Sequence, residues 1–176
     1  MEAVRENLTH LHPLHLAPVD VGACAEAAVR SASVPEGVTV ELQDLDVLPT
    51  VVAGQRSLTL VFANLFQNAA EAMQGHGRIT VRGATEGAAD SSGAWVQIAV
   101  HDDGPGIEPE LHDRIFEFDF SRSARSRAGS LGFGLWWVKS LMVRLGGSVT
   151  VESDGQHGTT FYLRLPREGR RTTDDA

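Results

Sequence analysis

Hydrophobic positions along the chain follow two periods, one of three to four residues and one of two, and each marks a different kind of element. Between residues 56 and 73, Leu58, Val61, Phe62, Leu65, Ala69, Ala72 and Met73 recur with the spacing of one buried helix face, and Gly75 and Gly77 close that helix. A shorter helix starts at Asp20, whose carboxylate suits an N-cap, turns Cys24, Ala27 and Ala28 inward and ends between Ser31 and Gly37. A third, over residues 132–145, turns Leu135, Val138, Leu141, Met142 and Leu145 inward and stops at Gly146 and Gly147. Trp136 and Trp137 are packing residues within it, at least one of them partly exposed. Alternation predicts strands at 38–42, 78–82, 95–100, 148–152 and 159–165, with a short one at 48–52. Asp154-Gly155-Gln156-His157-Gly158 joins the last two long strands as a hairpin. Residues 83–93 are small and form a loop, and Glu108-Pro109-Glu110 starts a short helical turn. Strands with helices on one face predict an α+β fold, a two-layer α/β sandwich.

Polar positions then mark candidate chemistry. Asn64, Asn68 and Glu71 form a second stripe on the longest helix, about 110° round from the apolar centre, which puts them at the rim of the core facing a cleft. Asn is a poor interior helix residue, because its amide competes for backbone hydrogen bonds. A plain solvated stripe is the competing explanation, and two signals downstream weigh against it. The first is His101-Asp102-Asp103-Gly104-Pro105-Gly106-Ile107, directly after a predicted strand. There a strand-end carboxylate can accept a hydrogen bond, while Gly104 and Gly106 let the backbone turn and approach a ligand closely. A calcium loop does not fit, because the acidic residues do not continue at alternate positions. The second is Gly129-Ser130-Leu131-Gly132-Phe133-Gly134-Leu135, where Gly132 and Gly134 precede and open a helix whose N–H groups can face phosphate. Residues 121–130, polar, small and basic, hold no apolar anchor and read as a flexible lid.

Composition narrows the options. A chain of 176 residues suits one domain with a proper core, and 42% hydrophobic residues spread through it are ordinary for a globular protein. No run reaches the roughly 18 apolar residues of a membrane span, and no secretory signal opens the chain. The single Cys24 permits neither an internal disulfide nor a cysteine-based zinc site, which fits a reducing cytoplasm. A formal charge of −8 argues against a nucleic-acid partner. Lys139 is the sole lysine and no glycine-rich loop ends in Gly-Lys-Ser or Gly-Lys-Thr, so a P-loop is excluded. A bound triphosphate would have to be met by Mg²⁺, backbone N–H groups and arginines.

Taken in order, these segments resemble the ATP-binding domain shared by sensor histidine kinases, DNA gyrase, MutL and Hsp90, over about residues 19–166. Residues 64–68 look like its N box, 102–106 its G1 box, 115–120 its F box and 132–135 its G2 box. The resemblance implies the Bergerat fold, a mixed, mostly antiparallel sheet covered by about three helices, with a lid at about 113–131. Residues 1–18 would be a linker or the remnant of a preceding helical hairpin, and 167–176 a disordered tail. It implies ATP and Mg²⁺ as ligands, with Asn68 the metal ligand, Asn64 and Glu71 its support, and Asp102 accepting from the adenine amino group. Further nucleotide contacts would come from Gly104, Gly106, Ile107, Phe116, Gly132, Phe133, Gly134, Leu135 and Thr159. Three positions depart from the family pattern. Ser130 stands at the first glycine of the G2 box, Phe118 where many relatives have Pro or Arg, and Ser123 where some have Lys; Arg122, Arg125 and Arg127 are candidates for the missing positive charge.

The resemblance also bears on the reaction. Related ATPases and anti-sigma serine kinases carry Glu four residues before the metal-binding Asn; this chain has Asn64, which cannot act as a general base. Histidine kinases commonly have Asn there, since a neutral acceptor histidine is already nucleophilic. The expectation is therefore a histidine-kinase catalytic domain, with residues 68–73 similar to the nitrogen-regulation branch. Its implied partners are a dimerisation and phosphoacceptor histidine domain of the same parent protein and a response regulator receiver domain, with no direct membrane contact. None of His10, His12 and His15 is followed by an acidic residue, so the acceptor is expected outside this chain. The alternatives are an ATPase or serine kinase of the same fold, or a degenerate lobe that binds nucleotide or a partner without phosphotransfer.

Overall fold

The computed structural model describes residues 15–86, 95–118 and 134–167. Its elements, in chain order, are β1 (Ala17–Val19), α1 (Val21–Ser31), β2 (Val38–Gln43), β3 (Val51–Ala53), α2 (Gln55–Ala72), β4 (Gly77–Glu86), β5 (Trp95–Asp102), α3 (Gly134–Arg144), β6 (Ser148–Glu152) and β7 (Thr159–Pro166). Two 3₁₀ turns, Pro109–Leu111 and Arg114–Phe116, lie between β5 and α3. Of the lid predicted at about 113–131, residues 113–118 are described, with Ile115 and Phe116 buried in the second of these turns, and 119–131 lie outside the described residues, as do Gly132 and Phe133. Of the tail predicted at 167–176, Arg167 is described and bridges Val51, and 168–176 lie outside.

Five strands form one sheet in the order β2-β4-β5-β7-β6. Only β2 and β4 run parallel; every other pair is antiparallel, as expected. One face of this sheet is apolar. Along β5 every second residue is buried, and Phe161, Leu163 and Leu165 of β7 point into the same core as Ile79 and Val81 of β4. The helices cover that face, with α2 packed between α1 and α3.

That central position explains where periodicity misplaced residues on α2. Phe66 and Ala70, off the expected stripe, are buried, and Phe62 and Phe66 stack at 6.0 Å between ring centroids. Ala72, expected inward, is exposed, because α2 ends there and the chain turns away through Gln74 and Gly75, both at positive φ. On α1 the expected cap is present: the Asp20 Oδ1 accepts from the Ala23 amide at 2.9 Å. Cys24 and Ala28 are buried as expected, and Ala25 is buried in place of the half-buried Ala27.

Two strands differ from expectation in ways that alter the fold. The short strand at 48–52 is instead β3, and it does not join the main sheet: it pairs antiparallel with β1, Ala17 opposite Ala53 and Val19 opposite Val51. Pro18 is tolerated because a two-stranded ribbon leaves each strand an edge where no N–H is needed. Val51 also bridges Arg167, just past β7. Of the loop expected at 83–93, residues 83–86 instead continue β4, with Glu86 opposite Trp95, and 87–93 lie outside the described residues. Among the described residues no helix is long and apolar enough to cross a membrane.

Candidate nucleotide site

Asp102 is the last residue of β5, held between Ile79 of β4 and Thr159 of β7 by the strand register. Alternation along β5 turns it to the buried side, where a valine or isoleucine would otherwise sit, and it is only 4% exposed. Its Oδ1 accepts from the Gly104 amide at 2.9 Å, and the Thr159 backbone also donates toward it. Burial raises the carboxyl above its usual range, outweighing these amides and the nearby His101. Thr159 itself is 4% exposed.

The loop after β5 is shaped by close approach. A Cβ on Gly104 would stand 2.6 Å from the Asp102 Oδ1, and 3.6 Å from both the Ala72 Cβ and the Met73 Cγ. The glycine therefore lets the loop fold back over its own aspartate while lying against the C-terminal end of α2. In this way the structure brings the Asp102 loop beside the end of the helix that carries the asparagine stripe. Gly106 has φ +83°, and a Cβ there would stand 2.7 Å from the Gln156 amide nitrogen of the β6–β7 hairpin. Ile107, half-buried, uses both backbone groups: its amide donates to the Ser153 Oγ at 2.9 Å and its carbonyl lies 3.2 Å from the His112 Nε2.

On α2 the polar stripe is graded. Glu71 is exposed, Asn64 half-buried and Asn68 buried at 9% exposure. The Asn64 Nδ2 donates to the Leu60 carbonyl at 2.8 Å, one turn back, which leaves its side-chain oxygen as the acceptor it can offer. Among the described residues no three His, Cys, Asp or Glu side chains gather where they could cage a metal. The donor set therefore does not suit an all-protein metal site. It suits a hard cation that takes one or two protein oxygens and completes its shell with phosphate and water.

Phe116 and Leu135 belong to a neighbouring group. Phe116 is buried edge-on to Phe161 at 6.2 Å, and the Lys139 Nζ of α3 lies 5.6 Å from its ring centroid. Phe161 is paired with Val100, two residues before Asp102, so this group and the Asp102 loop share β5 and β7. Gly134 opens α3 as expected, and Leu135, Trp136 and Trp137 are half-buried. Phe118 meets Trp136 edge-on at 5.2 Å. The residue that sequence reasoning missed is Ser153: a lone serine after a strand carries no periodic or motif signal.

The fold is thus a five-stranded mixed sheet under three helices, with a buried strand-end aspartate whose loop reaches the asparagine-bearing helix. Residues 53–169 match the family model described as histidine kinase-, DNA gyrase B- and HSP90-like ATPase, and the chain belongs to that family. Within it, the chain is an ATP-binding catalytic domain of the sensor histidine kinase kind. Sensor histidine kinase ZraS of Escherichia coli is 33% identical over 168 residues, covering 93% of this chain and 34% of ZraS. Sensor histidine kinase DcuS of the same organism is 34% identical over 140 residues, covering 77% of this chain and 24% of DcuS. Among solved structures, full-length ShkA in complex with AMPPNP matches with a TM-score of 0.69 at 28% identity, over 89% of this chain and 32% of that one. The mycobacterial sensor histidine kinase MprB has a TM-score of 0.68 at 24% identity, over 86% of this chain and 97% of that one, a likeness of fold. The chain thus spans about a third of ZraS and a quarter of DcuS.

Proposed function

We propose that this domain binds Mg-ATP and transfers the γ-phosphate to a histidine on a dimerisation hairpin outside the chain, from which a response regulator receiver domain is phosphorylated in turn. The observation that carries the reading is the buried Asp102 carboxylate, which accepts from Gly104 in a loop that lies against the end of the helix bearing Asn64 and Asn68. A carboxylate there accepts from the adenine amino group, whereas the carbonyl of guanine would meet it with like polarity. Asn68 is the residue suited to hold the cation, because an amide oxygen ligates without adding negative charge beside a triphosphate. When bound, Mg²⁺ neutralises charge on the phosphates and fixes their orientation. Asn64 and Glu71 support Asn68 from the less buried part of the stripe.

Asn64 offers no general base, so the domain is built to position rather than to activate water. The acceptor histidine supplies its own nucleophilic nitrogen: the N–P bond forms, the bond between γ-phosphorus and bridging oxygen breaks, and ADP leaves. Incubation of the domain with labelled ATP and Mg²⁺, with and without a histidine-bearing dimerisation hairpin, tests the proposal. Label is expected on the hairpin. Release of free phosphate with an unlabelled hairpin would identify a hydrolase instead.

A further inference from the structure

We infer that Ser153 is a positioning residue for the adenine site, an inference that rests on the ATP-binding reading above. Its hydroxyl stands at a junction. It accepts from the Ile107 amide at 2.9 Å and donates to the Gly158 carbonyl at 2.6 Å. The Gly158 amide in turn donates to the Gly104 carbonyl at 2.9 Å. One side chain therefore closes a chain of hydrogen bonds that runs from Ile107 through Ser153 and Gly158 to Gly104.

The consequence lies in what that chain encloses. Gly104 donates to the Asp102 carboxylate, and Gly106 turns at positive φ against the backbone of residues 155 and 156. Both ends of the Gly104–Ile107 turn are thus fastened to the β6–β7 hairpin, one by a backbone pair and the other by the Ser153 hydroxyl. A hydroxyl serves both bonds because it donates and accepts at once; no backbone group at that place could do so. Removing it leaves the Ile107 amide and the Gly158 carbonyl in want of partners, and loosens the Ile107 end of the turn from the hairpin. Ser153 touches no nucleotide in this account. It acts through the loop that shapes the pocket around Asp102.

The test compares Ser153→Ala with Ser153→Thr, which keeps the hydroxyl, in the whole chain, using calorimetric titration with ADP and with GDP and thermal melting without nucleotide. Ser153→Ala should weaken ADP binding about tenfold and narrow the preference for ADP over GDP, while Ser153→Thr restores both. Melting that falls equally in both variants while ADP affinity stays at the wild-type value would overturn the proposal and leave the nucleotide reading intact. Failure of the wild-type chain to bind ADP would overturn both.

Discussion

The Gly158 amide donates to the Gly104 carbonyl at 2.9 Å, joining the hairpin before β7 to the loop after β5. Gly158 can lie this close only because it has no side chain. Its φ is +76°, and a Cβ there would collide with the Asp102 carbonyl oxygen and stand 2.9 Å from the His101 ring. The obstacle is backbone, which cannot swing aside. Gly158→Ala should therefore destabilise the fold by about 2 kcal/mol or more, through strain at positive φ and loss of close packing. Urea denaturation of the two proteins measures it, and an unchanged midpoint would contradict the geometry.

Asp102→Asn should weaken ADP binding about tenfold and reduce the preference for ADP over GDP, because a charged acceptor becomes a neutral amide that also donates. The fold should survive, since the Gly104 amide still finds an oxygen. Equal ADP affinity in variant and wild type, by calorimetry, would remove the assignment.

The buried Asp102 carboxyl also predicts a pH dependence with a definite sign. Its folded value lies above the ordinary carboxylate value of about 4, so the folded state keeps the proton longer than the unfolded chain. Stability from this group is fully present below the ordinary value and is lost as pH rises through the raised one. Affinity for adenine runs the other way, growing as the acceptor ionises. ADP affinity should rise as pH climbs through that raised value in the wild type and rise less in Asp102→Asn. Parallel profiles in the two proteins would show that Asp102 does not face the base.

Asn68→Asp places a negative charge where an amide oxygen stands beside the proposed phosphates. Binding of ATP in the presence of Mg²⁺ should fall about tenfold, and binding of ADP in the presence of a chelator should change far less. If both ligands lose affinity equally, the residue is serving the fold and not the cation.

Magnitudes also separate the core from the surface. Phe62, fully buried and stacked on Phe66, should cost about 3 to 5 kcal/mol on replacement by Ala. Arg164 lies 4.5 Å from the Trp95 ring centroid and pairs with Glu86 at 2.8 Å, yet about half its side chain is in water. Arg164→Ala should cost about 1 kcal/mol or less, and denaturation midpoints that reverse this order would refute the packing described for α2.

Much of this was legible in the sequence, and the reasons are physical. The long strands and the three helices each bury one face, so a period of two or of 3.6 survives in the residues, as in Val96, Ile98 and Val100. The place of Asp102 at the end of a strand before a glycine turn was legible because the period of two leads up to it and Gly104 and Gly106 follow directly. The β1–β3 ribbon was not, because three residues with a proline among them are too short to show any period. The extent of burial on α2 escaped because a helix packed between two others buries more than one stripe, which hid Phe66 and Ala70. Ser153 escaped because its role depends on a hairpin returning to a loop 46 residues earlier, a relation no local pattern carries.

The β1–β3 ribbon gathers distant parts of the chain at one corner: Ala17 to Val19, Val51 to Ala53 and, through the Val51 bridge, Arg167. Only Gly54 separates Ala53 from Gln55, where α2 begins, and no side chain caps that helix start. The ribbon and the foot of the helix that carries Asn64 and Asn68 are therefore joined by a single buried glycine, so β1, β3 and the start of α2 form one continuous corner.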